Sequence, residues 1–270
     1  ETLIFGKAFD RASFPERIII GKCHNGQKIN TKFKQFIKKF NCPLIEMNYE
    51  SAELAKISIN MYLISSITFA NYMSGLAKKL DADWAYISRA LKLDKRIGKL
   101  SYLQPNIGIS GGNLERDLKS TEMIALKNKH ETTFPALLRK LSNEQRNWVF
   151  NIVNKKNIKG KLGILGLSYK ENTNSIKNSP SCYLVDRLKS RNIVYYDPKV
   201  KSYKNLRSLG SPNEVIKLSK IIIFMTNWKI FQKIDYKIIN RIFKGDYIID
   251  PYKIIDKDKL KKNIKYFSLW

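Results

Sequence analysis

The sequence predicts an α/β protein in three parts. Residues 1–50 read as half of a doubly wound parallel sheet, residues 51–155 as a helical middle, and residues 156–270 as a second parallel-sheet domain. Three observations carry this. A long helical pattern runs through residues 51–80. Beyond residue 160, short apolar runs alternate with helical patterns. Before residue 50, two apolar runs flank one helical pattern.

Taken in order, ETLIFGKAF reads as a loop or strand end. ERIIIG is an apolar run closed by glycine, which predicts a buried strand. Phe33, Phe36, Ile37 and Phe40 have helical spacing, and CPLIEMN predicts a second strand. No G-x-G-x-x-G occurs anywhere in the chain. In the long helix, Leu54, Ile57, Met61, Ile64, Phe69 and Tyr72 recur mostly at three- and four-residue steps. No proline interrupts this stretch, and Gly75 is its only glycine. A helix of about 30 residues is roughly 45 Å long, enough to cross a domain. Its middle is apolar on more than one side, so more than one neighbour is expected to bury it. A short helix follows near residues 83–91, then a loop over 98–112. Helical spacing resumes over 115–127 and 134–154, with Thr132, Thr133, Phe134 and Pro135 marking a helix entry. Further on, GKLGILGLSY, NIVYYDP, KIIIFMTN, DYIID and NIKYFSL read as strands, and residues 181–189 as a helix. Ligands of such sheets bind beyond the carboxyl ends of the strands, which puts GLSYKENT, YDP and MTNW along one rim.

The chain carries 50 Lys and Arg against 23 Asp and Glu, a formal charge of +27. Such a balance fits a polyanionic partner. Here the lysines are spread along the chain without interleaved aromatics, which favours compositional drift over nucleic-acid binding. Three cysteines, Cys23, Cys42 and Cys182, lie far apart, and the two histidines, His24 and His130, are too few for a metal cluster. This predicts a reduced, cytoplasmic protein with no metal site. No apolar run is long enough to span a membrane, and no signal peptide is evident. The chain opens on Glu1 without a methionine and is expected to be a fragment or a trimmed product.

Two patterns in the middle carry chemistry. Glu53, Lys56 and Asn60 share one helical face. Gly108, Gly111 and Gly112 precede Asn113, Glu115, Arg116 and Asp117; glycines permit close backbone approach to a ligand, and a helix start binds anions. Each also has an ordinary reading, as a surface ion pair and as a turn.

AELAKISIN, then LDKRIG, then a Gly-Gly…Asp loop resemble the UDP-glucose/GDP-mannose dehydrogenases. The resemblance continues in GILGLSYKENTNSIKNSPS, which is similar to the family's GLxFKxxTDDxRxxPS segment at Gly166, Leu167, Lys170, Thr173, Pro180 and Ser181. It extends to YDP at residues 196–198 and to Thr226 with Trp228. It implies the end of an N-terminal NAD-binding Rossmann domain, a central domain that dimerises through the 51–80 helix, and a C-terminal Rossmann-like domain for the nucleotide sugar. It also implies NAD, bound mainly by a domain absent from these residues, and a role in polysaccharide precursor synthesis.

The resemblance assigns roles as well. Lys56 and Asn60 match the lysine and asparagine that stabilise the reacting oxygen. Asp117 matches the aspartate of base or water activation, and Glu1 matches a glutamate near the hydrolytic water. Arg96, Gly108, Gly111, Gly112, Gly166, Tyr169 and Lys170 fall at substrate-binding positions, Arg96 across the dimer. The family's reactive loop is GFGGSCFPKD, whereas this chain has GISGGNLERD over residues 108–117. Counting back from Asp117 puts Asn113 at the cysteine; counting from the glycine pair puts Leu114 there. Neither is a nucleophile, since an amide nitrogen is delocalised into its carbonyl. Other departures are Asn174 and Ser175 for two acids, Lys177 for an arginine, and Asp250-Pro251-Tyr252 for Asp-Gly-Arg. Two readings follow. One is a dehydrogenase limited to a single two-electron oxidation; the other is a non-catalytic module that binds a nucleotide sugar or partners an active homologue.

Overall fold

The computed structural model describes residues 8–24, 26–157, 159–188 and 192–270. It divides into two compact units, Glu1–Tyr62 and Leu63–Trp270.

In the first unit, α1 (Ala8–Ser13), β1 (Ile18–Lys22), α2 (Thr31–Lys38) and β2 (Leu44–Asn48) follow one another. The two strands pair in parallel, Ile18 against Leu44 through Lys22 against Asn48. Asn30 caps α2 by accepting from the amides of Lys32 and Phe33. Glu46 on β2 holds Lys22 of β1 and Lys34 of α2, both at 3.2 Å. Ala8 and Phe9, read above as loop or strand end, lie in α1, whose polar Asp10 and Arg11 supply no apolar period to announce it. Glu1 lies outside the described residues.

Helix α3 (Tyr49–Lys79) starts directly after β2 and runs from the first unit into the second. One side is buried: Met61, Ile64, Ile67, Ala70, Ser74 and Ala77. Neighbours within this chain cover that side alone. Leu54, Phe69 and Tyr72 are exposed, and Tyr62, Leu76 and Leu80 join them along one face. Tyr62 and Tyr72 keep 65% of their surface in solvent and Leu80 keeps 70%. Apolar periodicity reports that a face avoids water, not which molecule covers it.

The second unit continues with α4 (Trp84–Leu93), α5 (Asn113–Lys127), α6 (Thr133–Arg146) and α7 (Trp148–Lys155). Asp83 caps α4, and the Trp84 indole donates to the Leu103 carbonyl at 2.9 Å, fixing the loop that follows. The single helix predicted over 134–154 is two. They meet at Asn147, whose Oδ1 accepts from the Tyr183 hydroxyl and from Arg187 and whose Nδ2 donates to the Asn143 carbonyl.

The sheet then forms from β3 (Leu162–Leu165), β4 (Ile193–Tyr196), β5 (Arg207–Ser208), β6 (Ile221–Phe224), β7 (Tyr247–Ile249) and β8 (Lys265–Phe267). All pairs are parallel, in the order β5-β4-β3-β6-β7-β8. Connecting helices are α8 (Pro180–Arg187), α9 (Pro212–Leu218), α10 (Lys229–Gln232) and α11 (Tyr236–Ile242). Both faces are covered. Leu162, Ile164, Tyr195, Ile221, Ile223 and Ile249 point into one core with α7 and α8. Leu165, Val194, Ile222, Phe224 and Ile248 point into the other with α9, α10 and α11. Strict alternation of fully buried residues explains why these strands read as unbroken apolar runs. Each such side chain contributes roughly 1.5–3 kcal/mol. Strand β5 and helices α9–α11 carried no distinct signal, being short and mixed in composition.

By contact the chain divides inside α3, and the helices after Tyr62 pack with the sheet as one unit. Among the ties, the Lys78 ammonium donates to the Ser268 carbonyl, and the Gly111 carbonyl accepts from Asn178.

Candidate active site

The carboxyl ends of the strands are organised by one carboxylate. Asp197, at the end of β4, is buried. Its Oδ2 accepts from the Leu167 and Ser168 amides at 2.7 and 3.0 Å, from the Ser168 hydroxyl and from the Trp228 indole. Its Oδ1 accepts from the Lys199 and Val200 amides. Thr226, after β6, donates to the Ser168 carbonyl at 2.7 Å. Ser179 and Ser181, at the start of α8, donate to the Leu167 and Gly166 carbonyls. The segments expected along one rim are thus bonded to one another. YDP had singled out Asp197 only as part of a motif; its role as the hub emerges from partners up to 31 residues away.

Gly166 has φ +97°, and a β-carbon on it would lie 2.5 Å from that of Thr226. Its lack of a side chain allows close contact between two strand ends. Burial raises the carboxyl pKa of Asp250, at the end of β7, although the Ile255 and Tyr252 amides and the Tyr266 hydroxyl donate to it. Tyr252 is half-buried, and its hydroxyl donates to the Met225 carbonyl at 3.4 Å.

The rim opens to solvent through the 169–178 loop. The Tyr169 amide donates to the Ser175 carbonyl at 3.0 Å, closing the loop on itself. Lys170 arches over the Tyr169 ring, 5.5 Å from its centre. The glycine loop lies against this segment. Gly111 has φ +80°, and the Tyr169 ring occupies the space beside it. The Ser110 hydroxyl points to the Tyr169 carbonyl at 3.4 Å. Lys177 lies over Gly112, and Gly108 lies against Ser142. The Ser142 hydroxyl accepts from the Ile109 amide at 2.8 Å. A cavity of about 170 Å³ adjoins Gly108, with Asn71, Tyr72, Glu144 and Gln145 in its walls. Ser142 and Asn178, which seat the loop, carried no signal in the sequence.

Asn113 is the first residue of α5 and is exposed. The helix has no side-chain cap at this end. Asp117 is 4% exposed and accepts from Arg116 Nε at 2.9 Å. Arg96 stands in solvent and forks onto Asp94 at 3.0 and 2.7 Å. Its guanidinium and that carboxyl hold each other's charge, raising the arginine's pKa and lowering the aspartate's.

In the first unit, Lys56 and Asn60 lie one turn apart on α3. Asn60 is buried, and Lys56 lines a cavity of about 350 Å³ with Arg11, Phe14, Glu16, Arg17 and Ile59. Glu53 of the same predicted face is exposed.

None of the cysteines lies in the glycine loop. Cys23 is exposed, Cys42 is half-buried, and Cys182 is buried in α8, where desolvation pushes its thiol pKa up. Among the described residues, no three His, Cys, Asp or Glu side chains lie together in a metal-binding group, and no helix is long and apolar enough to cross a membrane.

Residues 50–144 match the family model for the central domain of the UDP-glucose/GDP-mannose dehydrogenase family, and residues 163–257 match its UDP binding domain. The chain belongs to this family. The central-domain match holds Lys56, Asn60, Arg96 and the glycine loop, and the UDP-binding match holds the rim. Relatives within the family include UDP-glucose 6-dehydrogenase of Rickettsia prowazekii, 28% identical over 292 residues, covering 100% of this chain and 65% of its own length. UDP-glucose 6-dehydrogenase YwqF of Bacillus subtilis is 25% identical over 281 residues, with 100% and 63% covered. Among solved structures, UDP-glucose dehydrogenase of Pyrobaculum islandicum superposes with a TM-score of 0.84 at 23% identity, over 100% of this chain and 62% of that one. The likeness shows a shared fold. The chain spans 62 to 65% of the length of these relatives.

Proposed function

We propose that this chain is the sugar-nucleotide-binding and oxygen-stabilising part of a nucleotide-sugar dehydrogenase that performs one two-electron oxidation. The observation that carries this is Asn113. It opens α5 straight after a glycine turn seated on Tyr169, so the reactive loop is built while its nucleophile is an amide. Lys56 supplies a positive charge and Asn60 an amide donor to the oxygen that becomes alkoxide, an electrostatic contribution made where charge develops. Asp117, held by Arg116, acts as base or orients water. Tyr169 and Lys170 face the nucleotide, with Lys170 as a point charge to the diphosphate. Arg96 reaches a nucleotide on a second copy once released from Asp94.

The family's cofactor is NAD. The described residues of the first unit hold two strands and no glycine-rich strand–turn–helix, so they build no cradle for its phosphates. We assign NAD binding to sequence outside these residues. Dimerisation through α3 is supported by its exposed aromatic face. A cytoplasmic place in polysaccharide precursor synthesis follows from the family.

Calorimetry of this chain with UDP, UDP-glucose and GDP-mannose, against a DNA duplex, tests the binding reading. Saturable binding of one nucleotide sugar, little changed by salt, is expected; duplex binding alone, vanishing in salt, would overturn it. In a full-length protein, one NADH per sugar is expected. Two NADH with a uronate product would show that another group replaces the cysteine. A non-catalytic role is favoured by Tyr252 at the arginine position, since a phenol cannot fork onto a phosphate. Nucleotide binding with no NADH formed would select that reading.

A further inference from the structure

Helices α5 and α6, joined by residues 128–132, enclose a groove of about 330 Å³. Its floor is Ile109 and Leu118. Its walls are polar: Glu115, Lys119 and Glu122 on α5, and Arg139, Asn143 and Arg146 on α6. Steps of three and four residues put each set on one helical face. At one end the charges are spent on each other, with Arg139 Nε 3.0 and 3.2 Å from the two oxygens of Glu122. The other end is different. The Arg146 guanidinium carbon lies over the Tyr183 ring, 5.2 Å from its centre, and its Nε is buried with no hydrogen-bond partner. A buried charged donor without an acceptor is costly to keep, because its lost hydration is not replaced. Lys119 carries a second positive charge on the facing wall and makes no ion pair among the described residues. None of the lining residues belongs to the rim of the sheet.

We propose that this groove binds a small phosphate-bearing ligand, with the phosphate on Arg146 and Lys119. A planar guanidinium fork seated over an aromatic ring, beside a flexible ammonium, suits a doubly charged oxyanion. Glu115 and Asn143 stand beside it as acceptors for ligand hydroxyls. The groove also touches the glycine loop, because Ile109 lines it and is bonded to Ser142.

The test is a titration of the chain, labelled with 15N-arginine, following the Nε–Hε signals. Probes are glycerol 3-phosphate and inorganic phosphate, with sodium chloride at matched ionic strength. A saturable shift of the Arg146 signal with either phosphate and not with chloride is expected; tighter binding of the ester would identify a metabolite, and equal binding free phosphate. Lys119→Met, which changes an exposed side chain, should weaken binding about tenfold, or about 1.4 kcal/mol. Arg146→Met should abolish it. The inference fails if the Arg146 signal stays still, if chloride moves it equally, or if Lys119→Met leaves the affinity unchanged. It also fails if UDP moves the same signal more tightly, since the groove would then belong to the sugar-nucleotide site. UDP binding seen elsewhere, at Tyr169, keeps the two sites separate.

Discussion

The Tyr169 ring fills the place of the side chain that Gly111 lacks: a β-carbon there would lie 2.7 Å from ring carbon Cε2. One residue belongs to the glycine loop and the other to the rim of the sheet, so this contact seats one on the other.

Gly111→Ala should therefore destabilise the chain by about 2–3 kcal/mol, from left-handed strain plus the clash. Tyr169→Ala in the same chain should recover the clash but not the strain. Urea unfolding of the two single variants and the double variant measures this; additive effects would show that the contact is not made.

Asp197→Asn turns an acceptor-only group into one with an NH2 facing amide donors. A loss of about 2–3 kcal/mol is expected, with a change in Trp228 fluorescence because the indole donates to the same oxygen. Unchanged stability and emission would mean that the rim does not depend on this carboxylate.

The exposed face of α3 predicts self-association. Tyr72→Asp with Leu76→Asp should convert a dimer to a monomer in sedimentation. The monomer's own stability should move by only about 0.5 kcal/mol or less per site, since both side chains are exposed. A wild-type chain that sediments as a monomer at high concentration would overturn the assignment.

Glu46 is held by Lys22 and Lys34, and their hydrogen bonds lower its pKa below the ordinary 4.5. For a carboxyl depressed on folding, the stabilisation is present above that ordinary value and is lost as pH falls through the lower folded value. Lys22→Met should move the Glu46 midpoint upward in a 13C NMR titration; an unmoved midpoint would refute the pairing in solution.

Thiol reagents should separate the cysteines. Cys23 is expected to react first and Cys182 only on unfolding, because it is buried and its thiol pKa is raised. Alkylating Cys23 should leave nucleotide binding unchanged. Mass spectrometry of labelled peptides, with calorimetry before and after, checks both outcomes.

The sequence by itself determined the order and type of the main elements. Runs such as LGIL in β3 and IIIF in β6 are apolar because both sheet faces are covered, and covering is written into each residue's own chemistry. It also determined the family, since motif order is linear information. The tertiary structure alone decided what the motifs touch. Gly166 meets Thr226 and Gly111 meets Tyr169, pairs 60 and 58 residues apart by number. Asn147, between two helices, meets Tyr183, and Arg146 is left with a buried donor beside a groove. Those outcomes depend on packing between distant segments, which propensity and periodicity, being local, do not encode.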